Sequence, residues 1–284
     1  MSRKKFCLVW IFTLLLAWTV VCSAQSIRYY RVQPDVIEDR LLLYKGKDAQ
    51  RRITLTHLFE EVGCKDDRLE VQPVKKADAP NVICTLPGSS GEVIVVGAHF
   101  DRVDKGDGVA DNWSGASLLP SLYQSLSSEK RWHTFVFIGF SDEEEGFLGS
   151  RFYTDHLTES ELGSIQSMLN LDTLGLDSTR VWASKSSPDL VSLLDEVAAS
   201  TKLPIDVMNV EDIGNSDGSS FRKHNVPVLT LHSVTPENLK ILHSKKDKFS
   251  AIHLDDYYDS YNLIASYLVT LDDYDWDKPR LIID

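Results

Sequence analysis

The residues of this chain that could do chemistry stand at the ends of apolar runs. Thr134–Phe140 is apolar, β-branched and aromatic, and it leads directly into Ser141-Asp142-Glu143-Glu144-Glu145-Gly146. A buried strand that ends in several carboxylates places charge where desolvation is costly, so such groups are normally paired or metal-bound. Val93–Ala98 ends in the same way, in His99-Phe100-Asp101, and Gln166–Leu171 ends in Asp172. His99 could bind a metal through one ring nitrogen while Asp101 holds the other and fixes the tautomer. Asp111 stands just before a helix start, in Gly108-Val109-Ala110-Asp111-Asn112-Trp113-Ser114-Gly115. His243 opens His243-Ser244-Lys245-Lys246-Asp247. Adjacent glutamates point in different directions, so one of Glu143 and Glu144 could bind metal while the other serves as general base.

Each element has a plainer alternative. Asp111 or Asn112 could be an N-cap, Asp172 a turn residue, the acid run a solvated turn and His243 an ordinary surface histidine. Their coincidence at or near strand ends favours the chemical reading. Two histidines, two aspartates and a glutamate, with a second glutamate spare, suit two zinc ions about 3.5–4 Å apart. Mixed imidazole and carboxylate donors favour zinc over magnesium or calcium. Zinc would lower the pKa of a bound water towards about 7, and Glu143 could take its proton and pass it to a leaving amine.

In these residues the chain resembles the co-catalytic zinc peptidases of metallopeptidase family twenty-eight. Glu143-Glu144-Glu145-Gly146-Phe147-Leu148-Gly149-Ser150 is similar to that family's Glu-Glu-x-Gly-Leu-x-Gly-Ser signature. Asp111-Asn112-x-Ser114-Gly115 and Asn170-Leu171-Asp172 match as well. The resemblance implies that His99 and Asp172 hold one zinc and that Glu144 and His243 hold the other. It makes Asp111 the bridging ligand, Glu143 the base, and Asp101 the partner behind His99. It implies a dizinc aminopeptidase that cleaves N-terminal residues from peptides through a zinc-bound hydroxide. Two related reactions stay open: glutaminyl-peptide cyclisation, which a similar family runs on the same fold with one zinc, and carboxypeptidase action. The latter needs a cation for the substrate carboxylate, and Arg102 is the one candidate.

Three positions depart from the family pattern. Ala110 stands where many members have a second aspartate, Arg102 where a small residue is common, and Gly218 replaces the histidine of a Ser-Asp-His motif at Ser216-Asp217. His232 also ends an apolar run and precedes a serine, but it lacks an aspartate four residues on and Pro236 follows closely; the motif favours His243. His57, His133, His156, His224 and His253 read as surface or packing residues. Trp113 could line a pocket.

The elements that must position these groups alternate. Helices are expected over Asp35–Tyr44, Asp48–Gly63, Ser114–Ser127 (with Pro120 inside), Gly149–His156, Asp189–Ser200 and Asp255–Leu271. Strands are expected over Leu69–Val74, Asn81–Leu86, Glu92–Gly97, Thr134–Phe140, Gln166–Leu171, Val181–Ala183 and Val226–Leu231. The Pro87–Gly91 loop between two strands reads as a hairpin turn. The alternation predicts an α/β fold, a three-layer α/β/α sandwich around a mixed, largely parallel sheet. Ligands of such sheets bind at the carboxyl ends of the strands.

Composition bounds the rest. Residues 1–24 carry a basic start at Arg3-Lys4-Lys5, an apolar Phe6–Val21 and small residues at Cys22-Ser23-Ala24, the pattern of a secretory signal peptide. A retained anchor, or lipidation at Cys22, is the alternative. Residues 25–284 then form a single catalytic domain, secreted or periplasmic, with no stable membrane association once the signal is cleaved. The formal net charge is −12 and the leader's charged residues are all basic, so the remainder is more acidic still. That argues against nucleic acid and anionic membranes as partners and leaves peptides. The C-terminal acids, Asp255-Asp256 and Asp272-Asp273-Tyr274-Asp275, read as solvated surface. Cys64 and Cys84 remain as a pair, which in an exported protein suggests one disulfide.

Overall fold

The computed structural model describes residues 29–274 apart from 212 and 213. The leader at 1–24, Cys22 and Asp275 lie outside the described residues. Eight strands form one sheet: β1 (Leu69–Gln72), β2 (Asn81–Leu86), β3 (Val93–His99), β4 (Thr134–Phe140), β5 (Ile165–Leu171), β6 (Arg180–Val181), β7 (Asp206–Val207) and β8 (Val228–His232). Their order is β1-β2-β4-β3-β5-β8-β6-β7. The middle four, β4-β3-β5-β8, are parallel, while β1–β2, β2–β4 and β6–β8 pair antiparallel. The sheet is mixed with a parallel centre, and helices cover both faces.

Alternation along the strands builds two cores. Ile94, Val96 and Ala98 of β3 and Phe135 and Phe137 of β4 face the larger one. There they meet α1 (Pro34–Leu41), α2 (Asp48–Glu61), α3 (Ser114–Leu126), α6 (Pro188–Thr201) and α8 (Leu254–Asp272). Val95, Val136, Ile138 and Phe140 face the smaller core, with Tyr153 of α4 (Leu148–Asp155) and Phe221 of α7 (Gly218–Arg222). Helix α2 shows the helical version of this pattern: Arg51, Leu55, Leu58 and Phe59 lie buried along one stripe. Truncating a buried phenylalanine such as Phe137 to alanine in such a core costs about 3–5 kcal/mol. Cys64 and Cys84 are joined by a disulfide that ties the segment after α2 to β2. No helix among the described residues is long and apolar enough to cross a membrane.

Several sequence readings need correction. β2 and β3 do not form a hairpin, because β4 lies between them. The 87–91 loop instead crosses the segment that feeds β4: Ser89 N and Ser90 N donate to Arg131 O and Trp132 O. A Cβ on Gly88 would lie 2.2 Å from the His133 carbonyl carbon, so glycine permits the crossing. The strand expected at 181–183 ends at Val181, and Ala183–Lys185 forms a single 3₁₀ turn. Helix α5 (Glu159–Ser164) is an unanticipated element, although Thr158 and Glu161 form its capping box, a sequence-readable signal. The short β7 and α7 are also additions. Helix α3 runs through Pro120 without interruption. Asp272 is buried, not solvated, and accepts from the backbone N–H groups of Trp132 and His133.

Candidate active site

The carboxyl ends of β3, β4 and β5 and the loop after β8 converge on one cavity of about 690 Å³. β3 delivers His99, which is 2% exposed, and Phe100 N donates to Phe140 O, so β3 and β4 end in register. Asp101 Oδ1 lies 3.2 Å from His99 Nδ1, and its other oxygen accepts from Glu144 N at 3.1 Å. One buried carboxylate therefore orients the histidine of β3 and anchors the backbone of the acid run beyond β4.

That acid run is folded back on itself. Gly149 N donates to Ser141 O, Leu148 N to Asp142 O, and Gly146 N and Phe147 N to Glu143 O. The Asn81 side chain clamps the turn, accepting from Ser141 N and donating to Gly149 O. The folding turns Glu143 and Glu144 into the cavity and leaves Glu145 exposed. Asp142 does not face solvent: it is buried at φ +52° and accepts from Asp78 N.

Asp111 sits in the tight turn before α3, where the Asp111–Asn112 peptide is cis. Asn112 is no simple N-cap. Its Oδ1 accepts from Gly115 N and also from Thr173 N, and its Nδ2 donates to Leu171 O. The turn of Asp111 is thereby tied to the end of β5, which carries Asp172. His243 arrives at φ +53° from the segment after β8.

These five residues and Glu143 meet in two groups, His99–Glu143–Asp172 and Asp111–Glu144–His243, with the donor atoms of each within 4.8 Å of one another. Asp111 faces both: its Oδ1 lies 3.3 Å from His99 Nε2 and its Oδ2 lies 3.1 Å from His243 Nε2. Glu144 Oε2 is 3.1 Å from His243 Nε2, and Asp172 Oδ1 is 3.8 Å from His99 Nε2.

The electrostatics are those of crowded acids. Burial and the charges of Asp217, Asp172 and Asp111 hold the Glu143 carboxyl well above its ordinary range, although His99 opposes them. Burial also raises Glu144, against its hydrogen bond to His243. Burial disfavours the charged form of His99, but Glu143 and the hydrogen bonds to Asp101, Asp111 and Asp172 outweigh it and raise its pKa well above the usual value. Hydrogen bonds to Asp111 and Glu144 push His243 up to about 10. Surroundings that favour positive charge on both rings also suit a bound cation. Glu144 Oε1 is buried without a hydrogen-bond partner among the described residues. An orphaned carboxylate oxygen amid imidazole and carboxylate donors fits a zinc site.

The other histidines sort by their contacts. His232 Nε2 donates to Met208 O and its Nδ1 accepts from Val234 N, while burial lowers its pKa to about 4. Both nitrogens are thus engaged in a neutral, structural ring. His133 is buried against Asp272, and His57, His156 and His253 are exposed. Trp113 is core, donating to Arg40 O, and does not line the cavity. Arg102 donates to Val103 O and Gly106 O within its own loop. A histidine in place of Gly218 would be crowded at its first carbon, since a Cβ there lies 2.8 Å from the Val228 side chain.

Sequence reasoning missed the cavity's apolar wall, Phe147, Leu239 and Leu242. No periodic pattern marks them, because they come from turns. It also left Asp217 without a role, although burial raises its carboxyl to about 7.

The family model described as Peptidase family M28 matches residues 81–268. Leucine aminopeptidase 2 of Trichophyton equinum is 31% identical over 179 residues, covering 57% of this chain and 36% of that protein. The chain thus matches well under half the length of such curated relatives. Among solved structures, LapA aminopeptidase of Legionella pneumophila aligns with a TM-score of 0.77 at 19% identity, over 85% of this chain and 72% of that one. Porphyromonas gingivalis glutaminyl cyclase aligns at 0.68 and 17%, over 84% and 96%. Both likenesses concern the fold.

Proposed function

The chain belongs to peptidase family M28, and from that premise we propose that it is a dizinc aminopeptidase. His99 and Asp172 would hold one zinc, Glu144 and His243 the other, with Asp111 between them. The observation that carries this reading is that two donor groups meet at the two oxygens of Asp111. A one-zinc cyclase would need only one of the groups. Among the described residues no arginine or lysine lines the cavity, which disfavours a carboxypeptidase. An acid-rich wall instead favours a substrate that presents an amine. Phe147, Leu239 and Leu242 supply an apolar surface suited to a large apolar first residue.

The bound zinc pair would supply Lewis acidity and a water of lowered pKa. The chain's own residues do the remainder. Glu143 is buried beside the donors, where desolvation and neighbouring carboxylates raise its affinity for a proton, which suits a general base. Asp101 keeps Nε2 of His99 turned inward by holding Nδ1. The Cys64–Cys84 bridge supports an exported protein, since disulfides persist in oxidising compartments.

The test is a panel of short peptides, assayed for released amino acid with zinc content measured on the same sample. Release from free N-termini with none from N-acetylated peptides is the expected result. Ammonia from N-terminal glutamine without free amino acid would establish the cyclase instead, and release from N-acetylated peptides the carboxypeptidase.

A further inference from the structure

Asp247 stands four residues beyond His243, and the reactions considered above give it no role. Its side chain is 2% exposed. Oδ1 accepts from Val109 N at 2.9 Å and from Ala110 N at 2.7 Å, and Oδ2 accepts from Asp111 N at 3.2 Å. Its backbone carbonyl accepts from Asp107 N at 2.8 Å, and its own N–H donates to Ser244 O. Ser244 Oγ in turn donates to Ile241 O and accepts from Lys246 N, so residues 241–247 form a closed turn around His243. The two loops pack backbone to backbone: a Cβ on Gly106 would lie 2.3 Å from Ser244 O.

A carboxylate that gathers consecutive amides before a helix could be a simple cap. Here the acceptor comes from a loop more than 130 residues away, and that loop carries a second donor of the same group. The carboxylate therefore joins Asp111 to His243 through backbone alone. We propose that Asp247 is a positioning residue that sets the separation of Asp111 and His243 and so fixes the metal affinity of the Asp111–Glu144–His243 group. The proposal rests on the two-metal reading above.

The experiment titrates zinc into metal-free full-length protein against a chelating competitor, for wild type, Asp247→Asn and Asp247→Ala. The asparagine keeps one acceptor oxygen and turns an amide N–H towards the donors that the other oxygen had accepted. Two affinities are expected for wild type. In Asp247→Asn one should weaken about 10- to 100-fold while the other stays within about threefold. Adding Asp247→Asn to His243→Ala should produce no further loss. Two unchanged affinities would overturn the proposal, as would an equal fall in both. If Asp247→Ala does not fold, Asp247→Asn decides. A wild type that binds both zinc ions yet releases no amino acid would overturn the peptidase reading, and the split between the affinities would still judge Asp247. A wild type that binds fewer than two would overturn both.

Discussion

Glu143 is the residue whose environment asks most of it. It is desolvated, faces three other carboxylates and has one histidine to offset them. Glu143→Gln keeps the shape and removes the proton acceptor, so turnover is expected to fall about 100- to 10,000-fold. Zinc content should stay at the wild-type level, and near-normal turnover would remove Glu143 from the chemistry. His232 makes the opposite case, a buried ring kept neutral. Its pKa is about 4 in the folded protein against an ordinary value of 6.5. Between those values the unfolded chain binds a proton that the folded one refuses. Stability is therefore lost as pH falls from 6.5 towards 4, by ~3 kcal/mol. Urea midpoints across that window should drop more steeply for wild type than for His232→Gln. Of the residues that meet in the cavity, His99, Asp111, Glu144 and Asp172 were legible because each follows an apolar run or precedes a helix, whereas His243 stood out only by its motif. Asp142 and Asp272 were not legible, because what buries them is a left-handed turn and a contact across 139 residues.

The turn from Ser141 to Gly149 is where an element, more than a residue, makes the site. Its two ends are hydrogen-bonded to each other and to Asn81, and there is no room inside. A Cβ on Gly149 would lie 2.4 Å from Asn81 Oδ1 and 2.6 Å from both Ser141 N and Ser141 O. Two of those atoms are backbone and cannot swing away. Gly149→Ala is expected to destabilise the protein by about 1–3 kcal/mol and to lower zinc occupancy, because Glu144 rides on the turn. Urea unfolding and metal analysis on one preparation check both; a variant with wild-type stability and full zinc would show the turn to be pliable. Periodicity located the long helices and the central strands within a few residues. It could not locate strand neighbours. Pro87–Gly91 has the composition of a tight reversal, and composition does not say whether the next strand lies beside the last or one place over.

At the scale of the whole molecule the fold gathers acids from three loops at the carboxyl ends of the sheet's central parallel strands. Their mutual repulsion is relieved when a cation binds, so metal and folded state are linked. Chelation should abolish activity and lower the melting temperature, and zinc should restore both. Zinc at 100 times its dissociation constant would contribute about 2.7 kcal/mol to folding. An unchanged melting temperature would show that the acids are relieved without metal. The placing of β4 between β2 and β3 has a consequence for how this chain is made. β2 can pair with β1 as soon as both leave the ribosome, but both partners of β3, β4 and β5, are synthesised after it. The strand that carries His99 therefore emerges with two open edges and waits through Pro120 and α3 for its neighbours. Pairing β3 with β4 and β5 therefore carries a loop-closure cost that the local β1–β2 pair does not.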